Sequence, residues 1–438
     1  MNIIGISILI CLILVILTAS REWAAAAMLA GVLYLTEGQQ IYLAGFNFFA
    51  IRFLEVAGFA RIFFKGELRR TRFNSIDKTF LLFQSVYLLV FLVRYLQTDS
   101  TGSLAFRAGF FCDGSLSYLI FRALLADLTI FRNFLRNCVF LIVPFTIFMV
   151  VESATGHNIF HFMGSVPAES WYRNGHFRAQ GSFRDPIMAG SFGATLFPLF
   201  AASVLAHGRR LWNIMGAAAC LTITITAHSG GPLFAFLAGI GALYFWRFRE
   251  YMKLVRWGMF FSVVLLQLMM KAPVWFIIDR VSGIVGGHGW DRANLINQFA
   301  KHFNEWWLIG MSSVKTVGWA ATQIGNSTDV VNTYAAVGIG GGLISLVLFI
   351  LIILKCFQAL GNSIRSIHTE NGASSGDQFF LWGIGCSLFS HITNIVGVTY
   401  FDQMYVVWYM TLAAVASLAV ERAYESMLRQ TDEFSVQL

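Results

Sequence analysis

The sequence predicts an all-α membrane protein, a bundle of about 12 or 13 transmembrane helices. Three observations support this fold class. Hydrophobic residues make up 57% of the 438 residues and charged residues only 12%, about half the charged share of a soluble protein. Apolar runs recur along the whole chain, and about 20 apolar residues span a bilayer as a helix. Basic residues cluster between particular runs, as they do on the cytoplasmic side of membrane proteins.

The composition also excludes several classes of protein. So few charges and so much apolar sequence are incompatible with a soluble enzyme or a disordered chain. The cysteines lie in or beside apolar runs without a CxxC pair, which indicates neither a disulfide scaffold nor a metal centre. Basic cytoplasmic loops explain the net charge of +8, so we expect no nucleic-acid partner. We also expect no metal and no cofactor.

The apolar runs give the predicted membrane segments in order. They cover residues 3–19, 23–36, 41–60, 79–97, 104–125, 135–151, 187–206, 211–228, 229–246, 255–271, 333–355, 377–398 and 404–420. The first run has no basic segment before it, which predicts a retained span and not a cleaved signal peptide. The run at 41–60 carries Arg52 and Glu55, so it is predicted to be a tilted, interfacial or re-entrant helix.

The positions of lysine and arginine predict the orientation. The segment 61–78 is the most basic connection of the chain. Counting each run as one crossing puts it on the same side as the other basic connections, which is therefore cytoplasmic. The same count predicts one membrane domain over 1–438, with two long external loops at 152–186 and 272–332. We expect short amphipathic helices in these loops; the number of N-terminal crossings stays open.

The first external loop ends in a polar segment directly before an apolar run. Arg178 and Arg184 lie in this segment, Asp185 is placed to cap the next helix, and Pro186 suits its first turn. Two arginines at the mouth of a span are suited to bind phosphate through paired N–H donors. Anionic lipid headgroups or carboxylates of the loop are the alternative ligands.

The second external loop combines charged and aromatic residues. His288, Trp290, Asp291 and Arg292 precede a stretch whose apolar residues recur at helical spacing. The aromatic residues of this loop predict one of two structures. They form either an interfacial belt that lies on the membrane or a platform on which sugar rings stack.

Three segments together carry a resemblance to a known family. They are Arg178–Phe183 with Pro186, Arg292 with Trp307–Gly310 after an amphipathic helix, and Asn332–Gly342. In this order and topology they resemble the superfamily of O-antigen polymerases and O-antigen ligases, which are bacterial glycosyltransferases of the cell envelope. The resemblance covers roughly residues 135–420 and is carried more by the order of the segments than by any one of them.

The resemblance implies a glycan donor linked to undecaprenyl pyrophosphate and an active face on the periplasmic side of the inner membrane. Membrane lipid and other membrane proteins of polysaccharide assembly are the implied partners. Polymerases join glycan units, whereas ligases move a finished chain to a lipid A core sugar. Ligases often carry a histidine where this chain has Val331, which favours a polymerase and keeps a ligase as the alternative.

The resemblance and the chemistry of pyrophosphate transfer imply three groups of site residues. Pyrophosphate binding is assigned to Arg178, Arg184 and Arg292, with Arg280 and Lys315 behind them. The candidates for the general base of an inverting displacement are Asp291, His288, Glu169 and Glu305. Glycan binding is assigned to Trp171, Tyr172, Trp290, Trp306, Trp307 and Asn332.

Two functions of other classes compete with this hypothesis. A flippase or another transporter would show paired ionisable residues within the membrane and broken helices. A scaffold or sensor of an envelope assembly needs neither. The charged candidate residues lie in the external loops and not in the middle of the apolar runs, and this position favours chemistry at the outer face on a membrane-anchored substrate.

Overall fold

A computed structural model describes residues 1–43, 46–98, 101–206, 210–284, 289–319, 330–369 and 375–418 of the chain. These residues are mostly helical, which confirms the predicted helical character. The helices are α1 Ile3–Thr18, α2 Arg21–Tyr34, α3 Ala50–Phe64, α4 Ser75–Thr98, α5 Thr101–Leu124, α6 Leu128–Thr155, α7 Pro186–Ala206, α8 Arg210–Thr226, α9 Gly230–Tyr244, α10 Met252–Met269, α11 Ile277–Ile284, α12 Gly289–Lys301, α13 Phe303–Trp306, α14 Thr333–Thr369, α15 Ser375–Asn394 and α16 Gln403–Leu418.

Two short antiparallel hairpins interrupt the helices. The first pairs β1 Gln40–Leu43 with β2 Phe46–Phe49, and the second pairs β3 Tyr172–Arg173 with β4 His176–Phe177. The prediction of one helix over 41–60 was therefore wrong in its first half, because the β-branched and aromatic residues there form the first hairpin and α3 begins only at Ala50. Residues 152–186 hold a 3-10 turn and a hairpin where amphipathic helices were expected.

Five helical segments of the described residues are long and apolar enough to cross a membrane. They are Ser75–Arg94, Leu128–Thr155, Pro186–Ala206, Gly230–Met269 and Thr333–Ile367. The fourth contains both α9 and α10, which a 3-10 turn at Phe245–Tyr251 separates. The helices Ile3–Thr18, Leu211–Thr226 and Gln403–Leu418 are apolar but shorter. Length and composition therefore indicate association with a membrane.

Helix α7 lies at the centre of the bundle, where it packs against α8, α9 and α15. Small residues allow this close approach, as they do between membrane helices in general. A Cβ atom added at Gly193 would lie 2.5 Å from the carbonyl oxygen of Cys220 in α8. One added at Gly190 would lie 2.9 Å from the Cβ of Ala227. Because α7 is packed tightly in the core, the segment that leads into it ends at a fixed point.

Buried ion pairs join the helix ends next to the basic connections. Arg61 donates to the carbonyl oxygens of Ile16 and Ala19 at the end of α1 and lies 3.2 Å from Glu67. Carbonyls at a helix end lack partners within the helix, so this arginine satisfies two of them. Arg122 and Asp77 form a second buried pair with 2.8 Å between Nε and Oδ1.

Helix α14 is broken near its start. Gly342 has φ 72° and ψ −178°, a conformation open almost only to glycine. The segment from Trp307 to Met311 fills the break, since Leu343 N donates to Trp307 O and Met311 N donates to Ile339 O. Arg94 of α4 also donates to Met311 O, over 2.8 Å. The break thus ties this segment to the bundle.

Candidate functional site

A large cavity of the described structure lies where many helix ends meet, and its volume is about 1780 Å³. Its wall comes from the ends of α2, α4 and α8, from the starts of α3, α5, α7, α9 and α14, and from α12. Residues 173–185 and the segment between α15 and α16 complete it. Its charged side chains are Glu37, Arg52, Glu55, Arg94, Arg107, Asp113, Arg173, Arg178, Arg184, Asp185, Asp291, Arg292 and Asp402.

The β3–β4 hairpin brings Arg173 and His176 to the cavity. Its turn is Asn174-Gly175, with φ of 53° and 82°, which suits a two-residue hairpin turn. Because Arg173 pairs with His176 in the register, both stand at the tip. The backbone N–H of Arg178 donates to Trp171 O over 2.8 Å, so the chain leaves the hairpin in a fixed direction.

A buried carboxylate holds the segment that follows Arg178. Glu152, at the end of α6, accepts from the backbone N–H groups of Gln180 at 3.0 Å and Gly181 at 2.8 Å. Ser170 donates to the same carboxylate over 2.7 Å. Hydrogen bonds from backbone N–H groups to a carboxylate are strong, and they fix the loop on both sides of the hairpin. Nothing in the sequence identified Glu152 beforehand.

Asp185 and Pro186 begin α7 as the sequence predicted. The Asp185 side chain accepts from the N–H of Ile187 over 2.7 Å, and Pro186 is the first helical residue. The N-cap prediction is therefore confirmed. This cap also fixes the position of Arg184, the preceding residue.

Arg178 reaches the cavity half-buried. Its Nε atom is buried and has no hydrogen-bond partner among the described residues. Burial lowers the pKa of Arg178, nearby Asp185 raises it, and Arg173 lowers it again. An arginine keeps its charge despite such a shift. A cation of this kind would be stabilised by an anion in the cavity.

Arg292 reaches the same cavity from α12. Two glycines give it room: a Cβ atom at Gly397 would lie 3.2 Å from its Cδ, and one at Gly231 would lie 3.7 Å from Nη2. Burial lowers the pKa of Arg292, Arg173 lowers it further, and Asp291 opposes these effects. Arg173, Arg178 and Arg292 form what we call the arginine cluster. Arg178 and Arg292 were assigned to pyrophosphate binding from the sequence, but Arg173 was not.

Arg184 belongs to a different group of charges. Its Nε lies 3.0 Å from Asp402 Oδ2 and its Nη1 lies 3.5 Å from Glu37 Oε2. Its guanidinium also covers the ring of Phe401, 4.9 Å from the centroid. We call Glu37 and Asp402 the carboxylate pair. Burial, a hydrogen bond to Asp402 and repulsion by its charge raise the pKa of Glu37.

Two histidines line the cavity next to the arginine cluster. The rings of His176 and His228 stack with their centroids 4.5 Å apart and their planes 6° apart. Burial lowers the pKa of His228, and His176 and Arg178 lower it further. The neutral form is therefore favoured. The stacked rings give the cavity a flat surface whose ring nitrogens can take part in hydrogen bonds.

The predicted general bases lie in different places. Asp291 is buried and lines the cavity. Glu169 is exposed and pairs with His157 in an isolated β-bridge, whereas Glu305 lies 3.8 Å from Lys315 in an exposed ion pair. Neither belongs to the described cavity wall. His288 lies outside the described residues.

The remaining predicted ligands also lie apart from the cavity wall. Trp306 is buried, stacks on Phe299 with 4.1 Å between centroids and donates to its carbonyl oxygen, so packing accounts for it. Asn332 caps α14 by accepting from Ala335 N over 2.9 Å. Exposed side chains outside the described wall are those of Trp171, Tyr172, Trp290, Trp307, Arg280 and Lys315.

A second ionic group lies in the part of the cavity wall that α3 and α5 form. Arg52 of α3 binds Asp113 of α5 through two hydrogen bonds of 2.8 Å. Glu55 is buried on the same helix as Arg52 and accepts from Ser117 over 2.6 Å. The charges at Arg52 and Glu55 were visible in the sequence. Their partners in α5 were not, because nothing in the order of residues sets the register between two helices.

Known proteins do not place this chain in a family. No protein-family model matches it, and no curated protein matches its sequence. Among the described residues, no three His, Cys, Asp or Glu side chains are grouped as a metal site requires. The fold and the cavity therefore define the class: a helical protein with membrane-type helices and an arginine-lined cavity at the ends of those helices.

Proposed function

We propose that this protein is a bacterial envelope polysaccharide polymerase. It would transfer glycan units from an undecaprenyl-pyrophosphate-linked donor to a sugar hydroxyl. The observation that carries the proposal is the arginine cluster, in which three guanidinium groups share one cavity. The buried Nε of Arg178 and the lowered pKa values of Arg178 and Arg292 favour an anionic ligand there. Arginine suits the oxygens of a pyrophosphate by its planar set of donors.

The proposed topology places this cavity outside the cytoplasm. If each of α1–α10 and α14–α16 crosses the membrane once, the N-terminus lies outside and the basic segment at 61–78 lies in the cytoplasm. The helix ends that line the cavity are then all on the outer side. In a bacterial inner membrane this is the periplasmic face. The helices α11–α13 belong to the second external loop.

In this mechanism the arginine cluster stabilises the leaving group. When the bond between the anomeric carbon and the pyrophosphate oxygen breaks, negative charge grows on the departing pyrophosphate. Fixed cations lower the energy of that state. The acceptor hydroxyl attacks from the opposite side, so the configuration at the anomeric carbon inverts. The large apolar part of the wall suits the lipid chain next to the pyrophosphate. The free energy of the donor bond drives the transfer.

Ligase activity differs only in the acceptor, a lipid A core sugar. Val331, at the position where ligases often carry histidine, is the reason to place the polymerase first. The lipid-linked donor and its pyrophosphate leaving group are the same for both reactions, so the arginine cluster supports either reaction equally.

A flippase is the second candidate, and two observations favour it. Arg52, Glu55 and Asp113 form a partly buried ionic group on helices that line the cavity, and α14 is broken at Gly342. Both features are typical of transporters. A flippase should fail when Arg52 or Asp113 is replaced, yet tolerate loss of the loop arginines. A polymerase should depend on the arginine cluster.

The decisive experiment replaces Arg178 and Arg292 by alanine in the chromosomal gene. Polysaccharide length and lipid-linked intermediates are analysed on gels, and the amount of protein in the membrane is measured by blotting. Arg256→Ala, which removes an exposed arginine of α10, is the matched control. We expect both cluster variants to lose long chains at normal protein levels. Full activity in both would exclude the proposed site.

The accumulated intermediate separates the alternatives. Single repeat units on their lipid anchor indicate a polymerase. Full-length chains that remain on undecaprenyl pyrophosphate indicate a ligase. Intermediates that accumulate on the cytoplasmic side indicate a flippase.

The topology is tested by cysteine labelling from outside. In a background without Cys11 and Cys112, both exposed, Glu169→Cys should react with a membrane-impermeant maleimide in intact cells. Arg70→Cys should react only after the membrane is opened. Labelling of Arg70→Cys in intact cells would overturn the orientation.

A further inference from the structure

Two carboxylates from distant parts of the chain share one guanidinium at the cavity wall. Glu37 follows α2, Asp402 precedes α16, and Arg184 precedes α7. The distances from Arg184 are 3.0 Å to Asp402 and 3.5 Å to Glu37. All three side chains line the cavity that contains the arginine cluster. The reaction described above has no defined acceptor for the proton of the attacking hydroxyl, and this carboxylate pair is suited to that role.

The pair is held by two glutamine side chains. Gln39 donates to Met163 O over 2.6 Å and accepts from Asn2 N over 3.0 Å. Gln403, next to Asp402, donates to Leu35 O over 3.2 Å and to Ser182 O over 3.1 Å. Gln403 therefore links the residue after Asp402 to the chain before Glu37 and to the segment that carries Arg184, and Gln39 fixes the chain after Glu37. Such bonds keep the pair in place without a substrate.

The position of Asp291 makes it less suited to act as the base. It directly precedes Arg292 in α12, and its charge acts on that guanidinium. A carboxylate within the arginine cluster compensates the cations that bind the leaving group. The base must instead reach the acceptor hydroxyl, away from the leaving group. Glu37 and Asp402 belong to other elements, and their guanidinium partner is Arg184 rather than a member of the cluster.

We propose that Glu37 and Asp402, positioned by Arg184, accept the proton of the acceptor sugar hydroxyl during transfer. This inference rests on the proposed function. The hydroxyl oxygen forms the new bond to the anomeric carbon, and the bond from that carbon to the pyrophosphate oxygen breaks with its electron pair on the pyrophosphate. The proton passes to the ionised member of the pair and leaves to water before the next cycle.

Electrostatics fit a pair of carboxyl groups that share one proton. Burial raises the pKa of Glu37 most, the hydrogen bond and the charge of Asp402 raise it further, and Arg184 and Arg52 oppose the shift. Burial also raises the pKa of Asp402, against the hydrogen bond from Glu37 and the charge of Arg184. Two close carboxylates do not both ionise easily. The pKa of the pair is thereby brought closer to the working pH of a general base.

The test separates chemistry from binding. Glu37→Gln and Asp402→Asn are purified as full-length protein, reconstituted in lipid vesicles and assayed with a lipid-linked glycan donor. Binding of inorganic pyrophosphate is measured on the same samples. Glu250→Gln, a change at an exposed carboxylate on the other side of the bundle, is the control. We expect kcat to fall about 10²–10⁴-fold in the pair variants, with pyrophosphate binding unchanged and the control fully active.

The pH profile adds a readout that a structural role would not change. In the unmodified protein, kcat should rise with pH through the raised pKa of the pair, and Glu37→Gln should alter that limb. Glu37→Asp keeps a carboxylate and should recover part of the rate. Unchanged kcat in both pair variants, or an unchanged pH limb, would overturn the role of the pair. An unmodified protein that neither binds pyrophosphate nor extends the glycan would instead overturn the proposed function.

Discussion

The side chain of Arg292 lies against the backbone of Gly397: a Cβ atom added there would lie 3.2 Å from its Cδ and 3.3 Å from its Nε. Gly397 follows α15, whereas Arg292 is on α12, about 100 residues earlier in the chain. The position of Arg292, a residue predicted to bind an anion, is therefore set by a glycine far along the sequence. A larger residue at this point must displace the arginine.

Replacement of Gly397 by valine should reduce activity without unfolding the protein. Displacing a binding group by about 1 Å can cost up to about 100-fold in rate, and the bulk of valine is directed at Arg292. The measurement is kcat together with pyrophosphate binding, and both should fall. Gly361→Ala in α14, where no atom lies within 4 Å of the added Cβ, is the control. A fully active Gly397→Val variant would show that Arg292 is not held by this contact.

Gly342→Ala should destabilise the protein through the break in α14. Its φ of 72° and ψ of −178° cost about 1–3 kcal/mol for a residue with a Cβ. The new atom would also lie 2.6 Å from Leu308 O. Unfolding in a detergent series measures the change, and Gly361→Ala on the same helix should be neutral or stabilising by up to about 1 kcal/mol. Equal stability of the two variants would contradict the strained break.

Asp77→Ala should be among the most destabilising changes in the helical bundle. Asp77 accepts from Tyr118 Oη over 2.7 Å and from Arg122 Nε over 2.8 Å. Its loss leaves a buried guanidinium without its counter-charge, which costs about 3–5 kcal/mol. Glu305→Ala breaks only the exposed pair with Lys315 and should cost less than about 1 kcal/mol. Thermal unfolding in detergent compares the two, and a similar loss in both would refute the ranking.

Stability should fall as the pH rises, in part because of Glu37. Its pKa is raised above 4.5 by burial and by Asp402, so the folded protein keeps a proton that the unfolded chain releases. Between 4.5 and the raised value, the free energy of unfolding therefore decreases with pH. Glu37→Gln removes this titration and the repulsion of Asp402. We expect a flatter pH dependence of the unfolding temperature, and an unchanged slope would contradict the raised pKa.

The helical character and most helix positions could be predicted because each depends on local sequence. Long apolar runs need a helix wherever lipid surrounds them, and Asp185 with Pro186 marks the start of α7 by its own chemistry. The first hairpin was missed because its apolar residues continue without a visible break into α3. A short apolar run alone does not distinguish a strand from a helix.

The candidate site was predictable only in part. Arg178 and Arg292 were identified because each adjoins a segment with a recognisable pattern, and the structure places both in one cavity. Trp306 was assigned to glycan binding, but it is buried against Phe299, since helical spacing shows which residues share a face and not which face is covered. Arg173 lies on a strand of two residues, too short for any periodic signal.

The sequence by itself determined a helical chain with membrane-type segments, because hydrophobicity acts locally on each segment. Only the tertiary structure decided which charges meet. Glu37, Arg184 and Asp402 lie in three separate connections, and helix packing brings them within hydrogen-bonding or ion-pair distance. Such contacts depend on the register and angle of helices packed through many small apolar contacts, and no single segment of the sequence specifies these.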